Sequence, residues 1–189
     1  SFQWHMKAAQ QGNPSAQHNV GYAYRFGRGV RQDHEEAFQW YMKAAQQENP
    51  AAQNNLGEMF RNGKGVEQDY KKAFEWFKKA AEQKKTTYLM NVGMAYFLGE
   101  GVEQDYKKAF EWYLEAALLG DAEAQYNVGL MYTNGHGIDQ NDKKAFEWFK
   151  KAAEQGDPAA QREVRGEIER EYKNITKVVK QTELEALSK

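Results

Sequence analysis

The chain has 189 residues and a formal net charge of −1, from 26 Lys and Arg against 27 Asp and Glu. A protein that neutralises many phosphates carries a basic excess, so this balance argues against nucleic acid as a partner, and the absence of cysteine removes disulfides, thiolate metal sites and thiol nucleophiles together. Mean hydropathy is −0.95, and the most apolar stretch, Tyr88 to Leu98, is too short to span a bilayer, yet 41% hydrophobic and 14% aromatic residues exceed what a disordered chain carries.

The chain opens at Ser1-Phe2-Gln3-Trp4, and every later element repeats from there at a step of 36: Trp4, Trp40, Trp76, Trp112 and Trp148, each preceded two residues earlier by Phe. Alanine pairs from Ala8-Ala9 to Ala152-Ala153 and the glycine series Gly21/57/93/129, Gly27/63/99/135 and Gly29/65/101/137 share the step. Such a register is the mark of a tandem array. Residues 1–10 read as a second helix whose first helix is missing, and no basic-then-apolar signal segment opens the chain. Two readings follow for that end: a fragment of a longer array, or an apolar face that pairs with another chain.

Each complete unit reads as two helices. In the second unit the first helix spans Pro50 to Asn62, with Ala52, Leu56, Met59 and Phe60 as its apolar stripe, and the second spans about Tyr70 to Gln83, with Ala73, Phe74, Phe77, Ala80 and Ala81 on one side. Pro14, Pro50 and Pro158 follow Asn or Asp, the order of an N-cap and a first helical residue. Gly27, Gly63, Gly99 and Gly135 end the first helices, Asp33, Asp69, Asp105 and Asn141 cap the second, and Asp33 with Glu36 has capping-box spacing. Gly57 and its equivalents stand mid-helix, where glycine costs about 1 kcal/mol against alanine, so they are expected to meet the alanine pair of the second helix. Trp and Phe are expected to fill the space between hairpins, at about 3–5 kcal/mol per ring lost.

In the third unit Lys84-Lys85-Thr86-Thr87 replaces the Gly-Asn-Pro turn and is expected to bend the chain differently. In the fourth, Leu118-Leu119 replaces Glu82-Gln83. The pattern stops after Gln161, and Val164, Ile168, Tyr172, Ile175 and Val179 then form an amphipathic capping helix, broken near Asn174, with a shorter segment around Leu184 and Leu187. The fold expected is all-α: an α/α superhelical solenoid over residues 1–161 with a capping segment over 162–189.

The unit from Ala51 to Gln83, with Gly57, Gly63, Gly65, Trp76 and Ala80-Ala81 recurring in register, resembles the Sel-one-like repeat, a relative of the tetratricopeptide repeat with a longer loop. The resemblance covers about residues 2 to 161. It implies a concave groove lined by first helices and a role as scaffold or adaptor, in a bacterial setting where a periplasmic or secreted location is favoured over a cytoplasmic one. Immunity proteins that inhibit toxins and enzymes of β-lactamase-like activity are the alternatives it carries.

By analogy with the tetratricopeptide groove, the outward positions are Ser15, His18, Tyr22, Arg25 and Phe26; Ala51, Asn54, Glu58, Arg61 and Asn62; Thr87, Met90, Met94, Phe97 and Leu98; and Glu123, Tyr126, Leu130, Thr133 and Asn134. The partner-binding set drawn from them is Met90, Met94, Phe97, Leu98, Tyr126, Leu130, Tyr22 and Arg25, because contiguous apolar surface marks an interaction site. The competing reading buries the third unit's apolar residues against a neighbouring helix. Asn19, Asn55, Asn91 and Asn127 either bind the backbone of an extended peptide or tie adjacent helices together, and their presence in every unit favours the tie.

Chemistry is thinly represented. Ser15 and His18 share a helix turn but have no third orienting group, and His5, His18, His34 and His136 lack metal-ligand spacing. The Gly63-Lys64-Gly65 type of segment follows a helix rather than a strand, unlike a phosphate loop. The residues therefore point to a non-enzymatic module with a protein or peptide partner, no cofactor, no metal, no nucleic acid and no transmembrane segment.

Overall fold

The computed structural model describes residues 2–187; Ser1, Ser188, Lys189 and the side chains beyond Gln181, among them Leu184 and Leu187, lie outside the described residues. The described residues form ten α-helices: α1 Phe2–Gln10, α2 Pro14–Phe26, α3 His34–Gln46, α4 Pro50–Asn62, α5 Tyr70–Ala81, α6 Thr86–Leu98, α7 Tyr106–Leu118, α8 Ala122–Asn134, α9 Asp142–Glu154 and α10 Pro158–Leu187. They fall into two compact units, Ser1–Ala116 and Ala117–Lys189. Within each unit every helix packs against the next in the chain, the arrangement of a repeat solenoid.

The ends of the helices follow from local chemistry. Asn13, Asn49 and Asp121 accept hydrogen bonds from the backbone N–H three residues on, each at 2.9 Å, and Gly27, Gly63, Gly99 and Gly135 close the first helices in the left-handed conformation. Asp33, Asp69, Asp105 and Asn141 cap the second helices likewise. The capping box at Asp33 is only half formed. The Glu36 N–H donates to Asp33 Oδ1, but the Asp33 N–H donates back to the Tyr24 carbonyl at 3.0 Å. That long-range bond recurs from Asp69 to Phe60, Asp105 to Tyr96 and Asn141 to Tyr132, and so folds each loop onto its own first helix.

The mid-helix glycines do not meet the alanine pair. A Cβ on Gly57 would lie 2.5 Å from the Phe77 ring, and those on Gly21, Gly93 and Gly129 would lie equally hard against Tyr41, Tyr113 and Phe149. The alanines are buried beside them, but it is the ring after the tryptophan that needs the glycine: Tyr41 is fully buried and Phe77 is 2% exposed. The tryptophans are shallower. Trp40 and Trp76 pack on the edge of the preceding repeat's core, and Lys43 and Lys79 cover their outer faces at 4.2 and 4.4 Å.

The turn at Lys84-Lys85 keeps its course despite its sequence. Lys84 adopts φ 51, the left-handed conformation of Gly12, Gly120 and Gly156, and Lys85 is extended like Asn13 and Asn49, so α6 starts in register at Thr86. What is lost is the cap, because the Lys85 side chain makes no capping hydrogen bond to α6. Lys85→Asp is therefore expected to stabilise the protein by about 1 kcal/mol, read as a higher urea midpoint with an unchanged slope.

Helix α10 runs through Asn174 without a break, since one asparagine costs a helix interior less than about 1 kcal/mol. It begins in the register of a first helix, but Arg165 stands where Gly57 stands in α4, and Glu171 where Gly63 ends it. With no glycine at either position, α10 neither accepts a closely packed ring nor stops after thirteen residues as the other first helices do.

Candidate partner-binding face

In the unit Ser1–Ala116 the first helices α2, α4 and α6 are joined side by side through their polar residues. Arg25 of α2 donates to Asn55 Oδ1 at 3.1 Å and to Glu58 Oε2 at 2.6 Å on α4, and its ion pair with Glu58 is largely shielded. Asn55 turns its amide nitrogen to His18 Nε2 at 3.0 Å. Asn91 of α6 donates to Asn54 Oδ1 at 2.7 Å, and Arg61 reaches the Met94 sulfur at 3.4 Å. For Asn55 and Asn91 the tie between adjacent helices is what the structure contains. Asn19 is exposed beside the His18 Nδ1, and Asn127 is half-buried in the other unit.

This network fixes the ionisation of His18. Arg25 holds Asn55 with its oxygen outward, so the Asn55 amide donates to Nε2, which accepts only when the imidazole is neutral. Burial lowers the His18 pKa from its ordinary 6.5, against a smaller upward pull from Asn19. A depressed histidine pKa means that the unfolded chain binds the proton more readily, so stability is present above the unfolded value and falls as pH drops through the folded one. The melting temperature is expected to fall between pH 7.5 and 5.5, and His18→Gln is expected to flatten that fall. Beneath the network the Tyr41 hydroxyl is buried beside the Arg25 guanidinium. Burial pushes its pKa far up, and the neighbouring Arg25 guanidinium opposes this.

Tyr22 is half-buried, with the Phe26 ring tilted against it at 4.6 Å and Arg28 over it at 5.0 Å. Arg25 is engaged by α4 and so is no free cation for a partner. On α6 the four apolar positions differ in access. Met90, at the position that Asn54 holds in α4, is only 7% exposed. Met90 is thus buried, and little of it is open to a partner. Met94 and Phe97 are half-buried, Phe97 lying 5.1 Å from the Tyr106 ring, and Leu98 is 52% exposed. Tyr126 and Leu130 are half-buried in the unit Ala117–Lys189, where Tyr126 packs on Phe149 at 5.6 Å. The lateral role of Asn54, Glu58 and Arg61 was not separable in the sequence from an outward one. Its only trace is that Arg25 recurs as Arg61, while its acceptors Asn55 and Glu58 give way to Asn91 and Met94.

Neither ring nitrogen of His18 addresses Ser15: one faces Asn55 and the other Asn19. Among the described residues no three His, Cys, Asp or Glu side chains gather into a metal-binding group, and no helix is long and apolar enough to cross a membrane.

The family model of the Sel1 repeat matches residues 1–13, 14–49, 50–85, 88–121 and 122–157. The chain belongs to the Sel1 repeat family. Solved Sel1 repeat structures agree with it in fold. A protective antigen of uropathogenic Escherichia coli with the SLR fold is 36% identical, with a TM-score of 0.83 over 86% of this chain and 35% of its own. A Sel1 repeat protein from Oxalobacter formigenes is 39% identical, with a TM-score of 0.79 over 86% of this chain and 66% of its own. The immunity protein Pa5087 from Pseudomonas aeruginosa is 25% identical, with a TM-score of 0.53 over 84% of this chain and 59% of its own. The chain thus spans about a third of the length of the first and just under two thirds of the second. Comparison with curated proteins gives no match. Sel1 repeat proteins are generally interaction scaffolds, typically without enzymatic activity.

Proposed function

We propose that this Sel1 repeat chain is a non-enzymatic interaction module that holds a peptide or protein partner on the first-helix face of α2, α4 and α6. The observation that carries the reading is the exchange along α6. Where α4 presents Asn54, Glu58, Arg61 and Asn62, α6 presents Met90, Met94, Phe97 and Leu98, and Leu98 is more than half exposed. A partner's apolar side chain seated over Leu98, with Met94 and Phe97 around it, removes that surface from water. Methionine suits such a contact because its unbranched side chain adapts to an incoming shape. Arg25, Asn55 and Asn91 act from within as the braces that keep α2, α4 and α6 in one surface.

The test is affinity capture from the native host with the wild type, a Met94→Ala/Phe97→Ala double variant and the single variant Leu98→Glu. A partner retained by the wild type is lost from both variants, while their helical circular dichroism is unchanged. Equal capture by all three contradicts the reading. Likeness to the Pseudomonas aeruginosa immunity protein favours a second reading, in which the partner is a toxin. Stoichiometric inhibition of a co-encoded enzyme separates that from a general scaffold.

A further inference from the structure

Phe2, Phe38 and Phe74 each meet the ring of a residue 22 positions later at a steep angle: Tyr24 at 5.6 Å, Phe60 at 5.5 Å and Tyr96 at 5.2 Å. This edge-to-face contact seats each first helix on the second helix before it. Phe146 of α9 holds the same position, but the residue 22 positions on is Ile168, which has no ring. Ile168 is 55% exposed and turns to a separate cleft of about 360 Å³, which it shares with Ala153 and Val164.

Over Phe146 the unit Ala117–Lys189 instead opens a cleft of about 890 Å³ between α9 and α10. Phe146 and Phe149 give it an apolar floor, and Glu163, Glu167 and Glu171, four residues apart on one face of α10, form its far wall. The cations in the lining are Lys143 and Arg170, and Asp142 adds a fourth carboxylate. Glu167 already holds Arg170 at 2.7 Å, so the wall keeps an excess of negative charge. The field is felt nearby: the Tyr126 phenol is raised first by burial and then by Glu163 and Asp157, with Arg162 opposing.

We propose that this cleft binds a cationic peptide segment through an aromatic side chain set edge-on against Phe146, with flanking lysines or arginines meeting Glu163, Glu167 and Glu171. The other repeats define the ring's place, since three of them put one there from their own chain. The carboxylates define what surrounds it. Phosphate-bearing ligands and anionic membranes are repelled by the same wall, and a purely apolar segment leaves its charges unmatched. The site lies in a different unit from α6 and does not depend on the partner proposed there.

The probe is a fluorescein-labelled peptide, Gly-Lys-Arg-Phe-Lys-Arg-Gly, followed by fluorescence anisotropy at low and physiological salt. Saturable binding is expected, weakening as salt rises. It falls about tenfold or more when alanine replaces the peptide's phenylalanine, and by a similar factor in the protein variants Glu167→Lys/Glu171→Lys and Phe146→Leu. The first variant changes only exposed residues and keeps the fold, and Leu98→Glu leaves binding unchanged. No saturation up to about millimolar peptide, equal binding of the phenylalanine and alanine peptides, or full binding by Glu167→Lys/Glu171→Lys overturns the proposal.

Discussion

Replacing Phe77 by alanine is expected to destabilise the protein by about 3–5 kcal/mol, and replacing Trp76 beside it by clearly less. Phe77 is 2% exposed and lies on the bare backbone of Gly57, where no side chain can swing in to fill the space it leaves. Trp76 is larger but half-buried, with Lys79 over its outer face and water beyond. Equilibrium unfolding in urea, followed by circular dichroism, measures both. Equal losses at the two positions would mean that the tryptophan, and not the ring after it, forms the centre of the repeat.

Gly101→Ala is expected to cost about 3 kcal/mol or more, through two effects that add. The residue has φ 74, a conformation that costs a side-chain-bearing residue about 1–2 kcal/mol. Its new Cβ would also run into the carbonyl of Tyr70 and the backbone nitrogen of Lys71, and backbone atoms cannot rotate aside. Gly65 bears on the His34 carbonyl in the same way. These two loops are thus pressed against the start of the second helix one repeat earlier. Gly12→Ala is the control. Gly12 also has positive φ, at 90, but a Cβ there meets nothing within 4 Å, so only the conformational penalty of about 1–2 kcal/mol applies. Similar losses in the two variants would remove the loop contact from the account.

The ends of the helices were legible because they are local. Asn49 with Pro50, or Gly63 after Asn62, carries its reason within three residues, and the structure places those boundaries as the residues imply. Depth was harder to read. Trp76 and Phe77 are neighbours, about 100° apart around α5, and both are large and apolar. Which of them turns inward depends on where α4 lies, and no pattern within α5 states that. The same limit applies to Met90 and Met94, four residues apart on α6. Met90 is buried, while Met94 stays half-buried beside Arg61. Capping lysines show a milder form of it. Lys72 and Lys108 have glutamates three residues ahead, yet their ammonium groups turn back to the caps Asp69 and Asp105, at 3.2 and 3.1 Å.

Of the candidate face, the apolar run on α6 and the tying role of Asn55 and Asn91 were visible in the sequence, and the engagement of Arg25 was not. Arg25 looks like an exposed recognition cation until Glu58 and Asn55, some thirty residues away, are seen to occupy it. A cross-repeat pairing of this kind has no local signature. The departures of α10 from the repeat, Arg165 for glycine and Ile168 for an aromatic, were readable in register, but the cleft over Phe146 follows only from the path that the helix takes.

The most direct test is hydrogen exchange of the protein alone and bound to the partner it captures, resolved to individual helices. If α6 is the contact, exchange slows most over residues 86–98, with a smaller effect in α2 and α4 and little in α3 and α5. Slowing confined to α3 and α5, with residues 86–98 unchanged, would contradict a partner seated on the first-helix face.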